Sequence, residues 1–317
     1  MTAVMTVTVV GAGINGLSTA AELAWRGHRV TVIAEELHEA TVSMVAGAVW
    51  FPFQVGAEDR VRVRAWSLRT RQWMTELAVA APSAGVDLLT AYEISAGDEW
   101  PWWADGLEVD RVPAPVTGAP LAWRFAAPRA QPALLLRHLA AQLTAPVVVR
   151  RLTSFEELVA LTRGCDAVVN CTGLGARALV GDPALQGLFG QVAIAGCGSA
   201  ALDVSITDDR DPADLFYVIP RRDELVLGGI ARPVGGAIAL AAEPAITDRI
   251  LAHAARLGIA IGEVTAVRVG LRPYRPMVRL ERDVREPRLL HNYGHGGSGF
   301  TLCHGTAVAV ADLVEAG

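Results

Sequence analysis

The sequence predicts an α/β protein in which a Rossmann-like nucleotide-binding domain is interleaved with a second domain built on an antiparallel sheet. Three observations carry this. Gly11-Ala12-Gly13-Ile14-Asn15-Gly16 follows directly on the apolar run Val7-Thr8-Val9-Val10. A second apolar run, 29–34, ends at the acid Glu35. A further glycine-rich loop, His291 to Gly299, leads into an apolar helix at the far end of the chain. The first two make a strand, a turn, a helix, a strand and an acid, the layout that grips the ADP half of a dinucleotide.

Each glycine has its own task. Gly11 permits the tight turn, Gly13 lets backbone N–H groups reach a pyrophosphate, and Gly16 lets helix and strand pack closely. The phosphate charge then meets the positive end of the helix that follows, with Ile14 and Asn15 at that turn among the cofactor contacts. An ordinary glycine-rich βα turn would not need Glu35.

The remaining elements follow from periodicity and punctuation. Runs 4–10 and 29–34 read as buried parallel strands, with a helix over 15–26 closed by Arg26-Gly27. A small-residue segment, Thr41 to Trp50, comes next, and 60–80 reads as an amphipathic helix. Gln131-Pro132 opens a helix through about 143, with proline in its first turn. Val147–Val149 is a strand. Ala167-Val168-Val169 is a third parallel strand that runs into Asn170-Cys171-Thr172-Gly173. Leu215–Pro220 and Glu224–Gly229 flank Arg221-Arg222-Asp223 as a β-hairpin. The tail is the loop from His291 to Gly299 and a helix to about 315. Cofactor-binding segments are therefore expected at 1–50, 130–185 and 265–317, with a substrate domain from 51–129 and 186–264.

Composition excludes several classes. The 317 residues are 52% apolar with a net charge of −5, which speaks for a globular chain and against nucleic acid or anionic membrane as a partner. Charges such as Glu22, Arg232 and Glu243 interrupt every long apolar stretch, so no membrane span is expected. The first basic residue is Arg26, so no signal peptide is expected, and a cytoplasmic location follows. The four cysteines, Cys165, Cys171, Cys197 and Cys303, lack metal-ligand spacing, and no metal is expected. All 28 basic residues are arginine. Mechanisms that need a lysine amine are thereby excluded, while the planar fork for bidentate carboxylate binding is abundant.

The C-terminal run His291-Asn292-Tyr293-Gly294-His295-Gly296-Gly297-Ser298-Gly299-Phe300-Thr301 resembles the signature of the FAD-dependent D-amino-acid oxidases. Ala46-Gly47-Ala48-Val49-Trp50, Val169-Asn170-Cys171-Thr172-Gly173, Phe216-Tyr217-Val218-Ile219-Pro220, Gly228-Gly229-Ile230 and Gly270-Leu271-Arg272-Pro273 fall in the family's order, so the resemblance covers most of the chain. It implies non-covalent FAD, O2 as electron acceptor with H2O2 formed, and an imino acid that hydrolyses to a 2-oxo acid and ammonia. It implies that Arg272 forms a bidentate pair with the substrate carboxylate, that Tyr217 donates to the same group, and that the Gly297 carbonyl accepts from the amine. Ser43, Met44, Gly47, Ala48 and Val49 would line the flavin, Leu152 the adenine, and Glu35 would take the ribose hydroxyls. Arg272, Gly297 and Ser298 count among the cofactor contacts too, and the backbone of Gly299, Phe300 and Thr301 would lie at the flavin O2/N1 edge.

Some positions depart from the family pattern. Ala213 stands where many relatives have a second lid tyrosine, Ala231 where others carry an aromatic or arginine, and Ser298 where tyrosine is common; the lid, Asp208 to Asp214, is short. These changes imply a roomier pocket for neutral, apolar or small side chains. The residues themselves allow other roles. Arg272 could instead pair with Glu281 or Asp283, and Tyr217 could be a core aromatic. His295 reads as a loop-shaping residue, Arg275 and Arg279 as partners of Glu281, Asp283 or backbone, and Cys303 as no flavin anchor. A related oxidase of D-aspartate, glycine or sarcosine, a nicotinamide-dependent dehydrogenase and a non-catalytic flavin protein are the competing readings. Assembly into a homo-oligomer is left open.

Overall fold

The computed structural model describes residues 3–37, 40–56, 58–197, 202–235 and 240–317. Along the chain run β1 (Thr6–Val10), α1 (Ile14–Trp25), β2 (Arg29–Ala34), α2 (Arg60–Ala80), β3 (Val86–Ile94), β4 (Val109–Pro113) and β5 (Leu121–Ala130). Then come α3 (Pro132–Ala140), β6 (Val148–Val149), α4 (Phe155–Leu161), β7 (Ala167–Asn170), α5 (Ala176–Val180), β8 (Gln186–Ala195) and β9 (Val204–Asp208). The chain continues with β10 (Phe216–Pro220), β11 (Leu225–Gly228), β12 (Arg232–Val234), α6 (Pro244–Arg256), β13 (Val264–Arg282), β14 (Leu289–His295) and α7 (Gly299–Glu315). Two compact units result: Met1–Val86, Ala130–Gly187 and Arg272–Gly317 form one, Asp87–Arg129 and Leu188–Leu271 the other.

The first unit holds a parallel sheet in the order β14-β7-β1-β2-β6. In its centre Val9 lies between Val32 and Val169. Valine-rich strands of this kind suit a sheet covered on both faces. On one side α1 and α7 pack together. On the other, Val10, Leu158, Val168, Leu179 and Leu289 form a buried cluster. The second half of β13 runs antiparallel to β14.

Three expectations are corrected here. The run from His291 was expected to be a loop, yet it is strand β14 through His295. Its polar side chains are buried and satisfied by partners on other segments: His291 by Asp283, Asn292 by Thr19, and Tyr293 by Asp182. Buried groups with fixed partners favour an ordered strand. Helix α2, expected in the second domain, belongs to the first unit. Its stripe Val63, Trp66, Thr70 and Met74 is buried. A Cβ added to Gly305 of α7 would lie 2.1 Å from the Trp66 carbonyl oxygen, so the two helices meet backbone to backbone. The helix expected through 143 also stops earlier, at Ala140.

In the second unit β9, β10, β11 and β8 form an antiparallel meander. The expected hairpin is present, closed by the Arg221 N–H donating to the Glu224 carbonyl at 2.7 Å. One face carries Phe216, Val218, Leu225 and Leu227 against Ile246, Ile250 and Ala254 of α6. Side chains alternate along a strand, so Tyr217 occupies the opposite face. The register places Glu93, Thr207, Tyr217, Gly228 and Val192 in one row across five strands.

Glu93 is only 7% exposed, and its Oε2 has no hydrogen-bond partner among the described residues. Burial, and then the charge of neighbouring Asp209, push its carboxyl pKa up to about 8, against a hydrogen bond from Trp103. The folded protein thus holds this proton where the unfolded chain, with its ordinary value of 4.5, has released it. Stability therefore falls as pH rises from about 4.5 through about 8. Glu93→Gln is expected to raise Tm relative to the parent more at pH 8.5 than at pH 5. An equal difference at both pH values would show that this proton is not the cause.

Candidate functional site

Backbone meets backbone at the carboxyl edge of the parallel sheet. Gly11 has φ +117° and its N–H donates to the Ile33 carbonyl at 2.8 Å. A Cβ there would lie 2.4 Å from the Cys171 carbonyl oxygen, and one on Gly16 would lie 2.0 Å from the Gly11 oxygen. No side chain fits at either position. Helix α1 starts at Gly13 with no side-chain cap and no acid in its first turn. Its Ile14 N–H donates to Ser43 Oγ at 3.0 Å. Asn15 Oδ1 and Ser18 Oγ are buried without a hydrogen-bond partner among the described residues.

A second helix start lies beside the first. Helix α7 also has no side-chain cap and no acid in its first turn, because the Ser298 hydroxyl donates to the Phe53 carbonyl at 2.9 Å instead. A Cβ on Gly299 would stand 3.5 Å from Ile14 Cγ2 and from Asn15 Nδ2. Two positive helix ends therefore converge, and an anion is what that field attracts. Ligands bind outside the carboxyl ends of such strands. The cradle, the buried orphan oxygen atoms and the uncapped helix starts fit a dinucleotide.

The other expected cofactor residues border this edge. Glu35 follows β2, half exposed, with Arg151 Nε 3.5 Å from its carboxylate. Ser43 and Met44 sit in a short 3₁₀ turn, Val42–Val45. Gly47, Ala48 and Val49 come next, and Ala48 is held at φ +59°, with its carbonyl accepting from the Ala130 N–H at 2.8 Å. A non-glycine residue in this region is strained and must be held by its surroundings. Leu152 follows β6, and its side chain is committed to the apolar cluster with Val10 and Leu158.

The segment Phe51–Gln54 gathers Arg272 and the loop after β14. The Arg272 guanidinium carbon lies 5.8 Å from the centre of the Phe53 ring. The Gly297 N–H donates to the Gln54 carbonyl at 3.1 Å, and Gly296 N–H to the Pro273 carbonyl at 2.8 Å. A Cβ on Gly297 would lie 2.6 Å from the Phe53 oxygen. Thr301 Oγ1 donates to the Phe51 carbonyl at 2.8 Å and accepts from its N–H at 3.2 Å. Phe300 is buried. No motif announces Phe51–Gln54, because its work is done by backbone carbonyls. Tyr217 belongs to the second unit, where its ring covers Gly228: a Cβ there would lie 2.3 Å from the Tyr217 hydroxyl oxygen.

The neighbouring titratable groups are settled by burial. His295 is 2% exposed, its Nε2 lies 3.1 Å from Asn292 Oδ1, and burial pulls its pKa down to about 3. It is a neutral ring that shapes the loop. Burial pushes the Cys303 thiol up to about 12, so no thiolate forms at neutral pH. Arg279 pairs with Glu281 at 2.8 Å. Arg275 reaches a carboxylate that sequence spacing did not suggest, Asp182, at 3.0 Å.

The model of the FAD dependent oxidoreductase family matches residues 6–313. A D-amino-acid oxidase of Rubrobacter xylanophilus is 37% identical over 321 residues, which cover 97% of this chain and 95% of that protein. A D-aspartate oxidase of Homo sapiens is 30% identical, covering 98% of this chain and 94% of the relative. The crystal structure of a glycine oxidase from Geobacillus kaustophilus covers 98% of this chain and 95% of its own, with a TM-score of 0.78. At 18% identity that likeness shows the fold. If the glycine turn is the cradle for this family's cofactor, Gly16→Ala purifies with less than about a tenth of the parent's bound flavin absorbance, the added methyl displacing Gly11. A parent-like flavin content would contradict the assignment.

Proposed function

The chain belongs to the family of FAD dependent oxidoreductases, and from that premise we propose that it oxidises D-amino acids with O2, releasing H2O2 and an imino acid that hydrolyses to a 2-oxo acid and ammonia. Its cofactor is FAD. The observation that carries the reading is the Arg272–Phe53–Gly297 cluster beside the start of α7, in a chain 37% identical throughout to a D-amino-acid oxidase. Arg272 offers a planar fork to the substrate carboxylate, and the Tyr217 hydroxyl donates to the same group. The Gly297 carbonyl accepts from the amine. With two groups fixed, only one enantiomer aims its α-hydrogen at the acceptor, so handedness follows from orientation.

Bound flavin supplies the hydride acceptor. The N–H groups of Gly299, Phe300 and Thr301, at a helix start, would lie at the O2/N1 edge of the flavin, where a positive helix end favours negative charge. Glu35 takes the ribose hydroxyls, and the Gly11–Gly16 backbone takes the pyrophosphate. Ser43, Met44, Gly47, Ala48 and Val49 line the ring, with Leu152 at the adenine and Ser298 in the flavin loop. With the substrate bound as the free amine, its nitrogen lone pair would drive hydride loss to the acceptor, and the neutral His295 would not be required as a base. Segments 1–50, 130–185 and 265–317 would serve the cofactor, and 186–264 with 51–129, less α2, the substrate.

Ala213, Ala231 and Ser298 leave room for neutral, apolar or small side chains. An oxidase of D-aspartate would need a cation for the second carboxylate. Ala231 supplies none, and adjacent Arg232 is already paired with Glu243 and lies over Phe189. Glycine or sarcosine oxidation is the remaining alternative, in line with the shared fold. No helix among the described residues is long and apolar enough to cross a membrane. A cytoplasmic enzyme, alone or as a homo-oligomer, fits this reading.

A hydrogen peroxide assay across paired D- and L-amino acids tests the proposal. Activity is expected with D-valine and D-alanine and none with their mirror images; preference for D-aspartate would overturn the substrate assignment. Arg272→Ala is expected to keep its FAD but lose kcat/KM by about 30-fold to several thousand-fold, the equivalent of about 2–5 kcal/mol for an unpaired buried carboxylate. Near-parent kcat/KM would remove Arg272 from the site.

A further inference from the structure

We propose that Asp182 is a positioning residue for Arg272, acting through a bulge in the strand that carries it; this rests on the reading of Arg272 as the carboxylate anchor. In the ladder between β13 and β14, Tyr274 faces His295 and Arg279 faces Tyr293. Five steps along β13 are thus matched by two along β14, and three residues must leave the ladder. Slippage of one residue turns every side chain to the other face, and Arg272 lies only two residues before Tyr274. Something has to fix the bulge.

Asp182 does so from the end of α5. It is 5% exposed. Its Oδ2 accepts from the Tyr293 hydroxyl at 2.8 Å and from Arg275 Nε at 3.0 Å, and its Oδ1 accepts from the Ala184 N–H at 3.0 Å. One carboxylate therefore holds a residue of the bulge and a residue of the facing strand at the same time. Arg275 Nη1 closes the bulge on the Met277 carbonyl at 2.8 Å, and Arg279 donates to the Tyr293 hydroxyl at 2.8 Å. Backbone supports the clamp from both sides. A Cβ on Gly294 would lie 2.8 Å from the Arg275 Cβ, and one on Gly56 would lie 2.0 Å from the Arg275 carbonyl oxygen.

The consequence is felt at the site. Pro273 accepts the Gly296 N–H, and Arg272 stands over Phe53, so the strand before the bulge and the glycine loop are docked on each other. Burial acts to raise the Asp182 pKa, but the Tyr293 hydrogen bond and the Arg275 charge outweigh it and hold the carboxyl below its ordinary range. It is an anion at neutral pH. Buried ion pairs add little net stability and are best attested as devices that set register, which is the role assigned here.

The test uses the FAD-loaded enzyme and its Asp182→Asn and Tyr293→Phe variants. Each is titrated with pyruvate, a 2-oxo acid carboxylate, followed by flavin absorbance, and then assayed with D-alanine. Asp182→Asn is expected to keep its flavin content and raise both the pyruvate Kd and the D-alanine KM roughly tenfold, with kcat changed by less than about threefold, as for one displaced hydrogen-bonded anchor. Tyr293→Phe moves both in the same direction by about threefold. A flavin-loaded variant with parent-like Kd and KM, even one with a lowered Tm, would overturn the proposal and leave Asp182 purely structural. If Asp182→Asn does not fold, Tyr293→Phe decides alone. Arg272→Ala binding pyruvate as tightly as the parent would instead sink the underlying reading of Arg272.

Discussion

Everything at the site depends on a close approach of backbone to backbone at the carboxyl edge of the parallel sheet. Gly11, Gly16 and the carbonyl of Cys171 come so near that a single methyl cannot enter. That contact sets the angle at which α1 leaves the sheet, and Gly13 at its N-cap offers no side-chain hydrogen bond. Elsewhere an uncapped helix start would be a loss of stability. Here two of them meet, since Gly299 of α7 faces Ile14 and Asn15 of α1. The field they make favours an anion at this edge, which is the basis for proposing the dinucleotide there.

The same economy governs the proposed anchor for substrate. Phe51–Gln54 has no reactive group, yet its carbonyls receive the Gly297 N–H and the hydroxyls of Ser298 and Thr301, and its Phe53 ring underlies Arg272. Gln54 adopts φ +49° to do this. The cost of a left-handed glutamine is offset because neighbours hold it in place, a pattern found where geometry serves chemistry. Burial then silences groups that would interfere: His295 stays neutral and Cys303 stays a thiol.

How much of this was legible in the sequence depends on the range of the interaction. The valine-rich strands, the turn at Gly11–Gly16 and the hairpin around Arg221-Arg222-Asp223 are local patterns, and local patterns survive into the fold. Strand β14 was hidden because its histidines, asparagine and glycines have a loop's composition. Asp283 across the β13–β14 connection and the distant Thr19 and Asp182 make it a strand. Helix α2 showed its periodicity but not its partner, since its place is decided by a glycine on α7 far along the chain. Asp182 was invisible for the same reason: Arg275, its partner, is 93 residues away. Phe51–Gln54 was invisible because backbone carbonyls leave no trace in residue type.

The central claim is that the two helix starts receive an anionic dinucleotide while Arg272 receives a carboxylate beside it. A crystal structure of the FAD-loaded protein with a bound 2-oxo acid tests this most directly. The account predicts the pyrophosphate against the N–H groups at Gly13 to Gly16 and both carboxylate oxygens within hydrogen-bond distance of the Arg272 guanidinium. A pyrophosphate seated elsewhere, or a carboxylate held without Arg272, would contradict it.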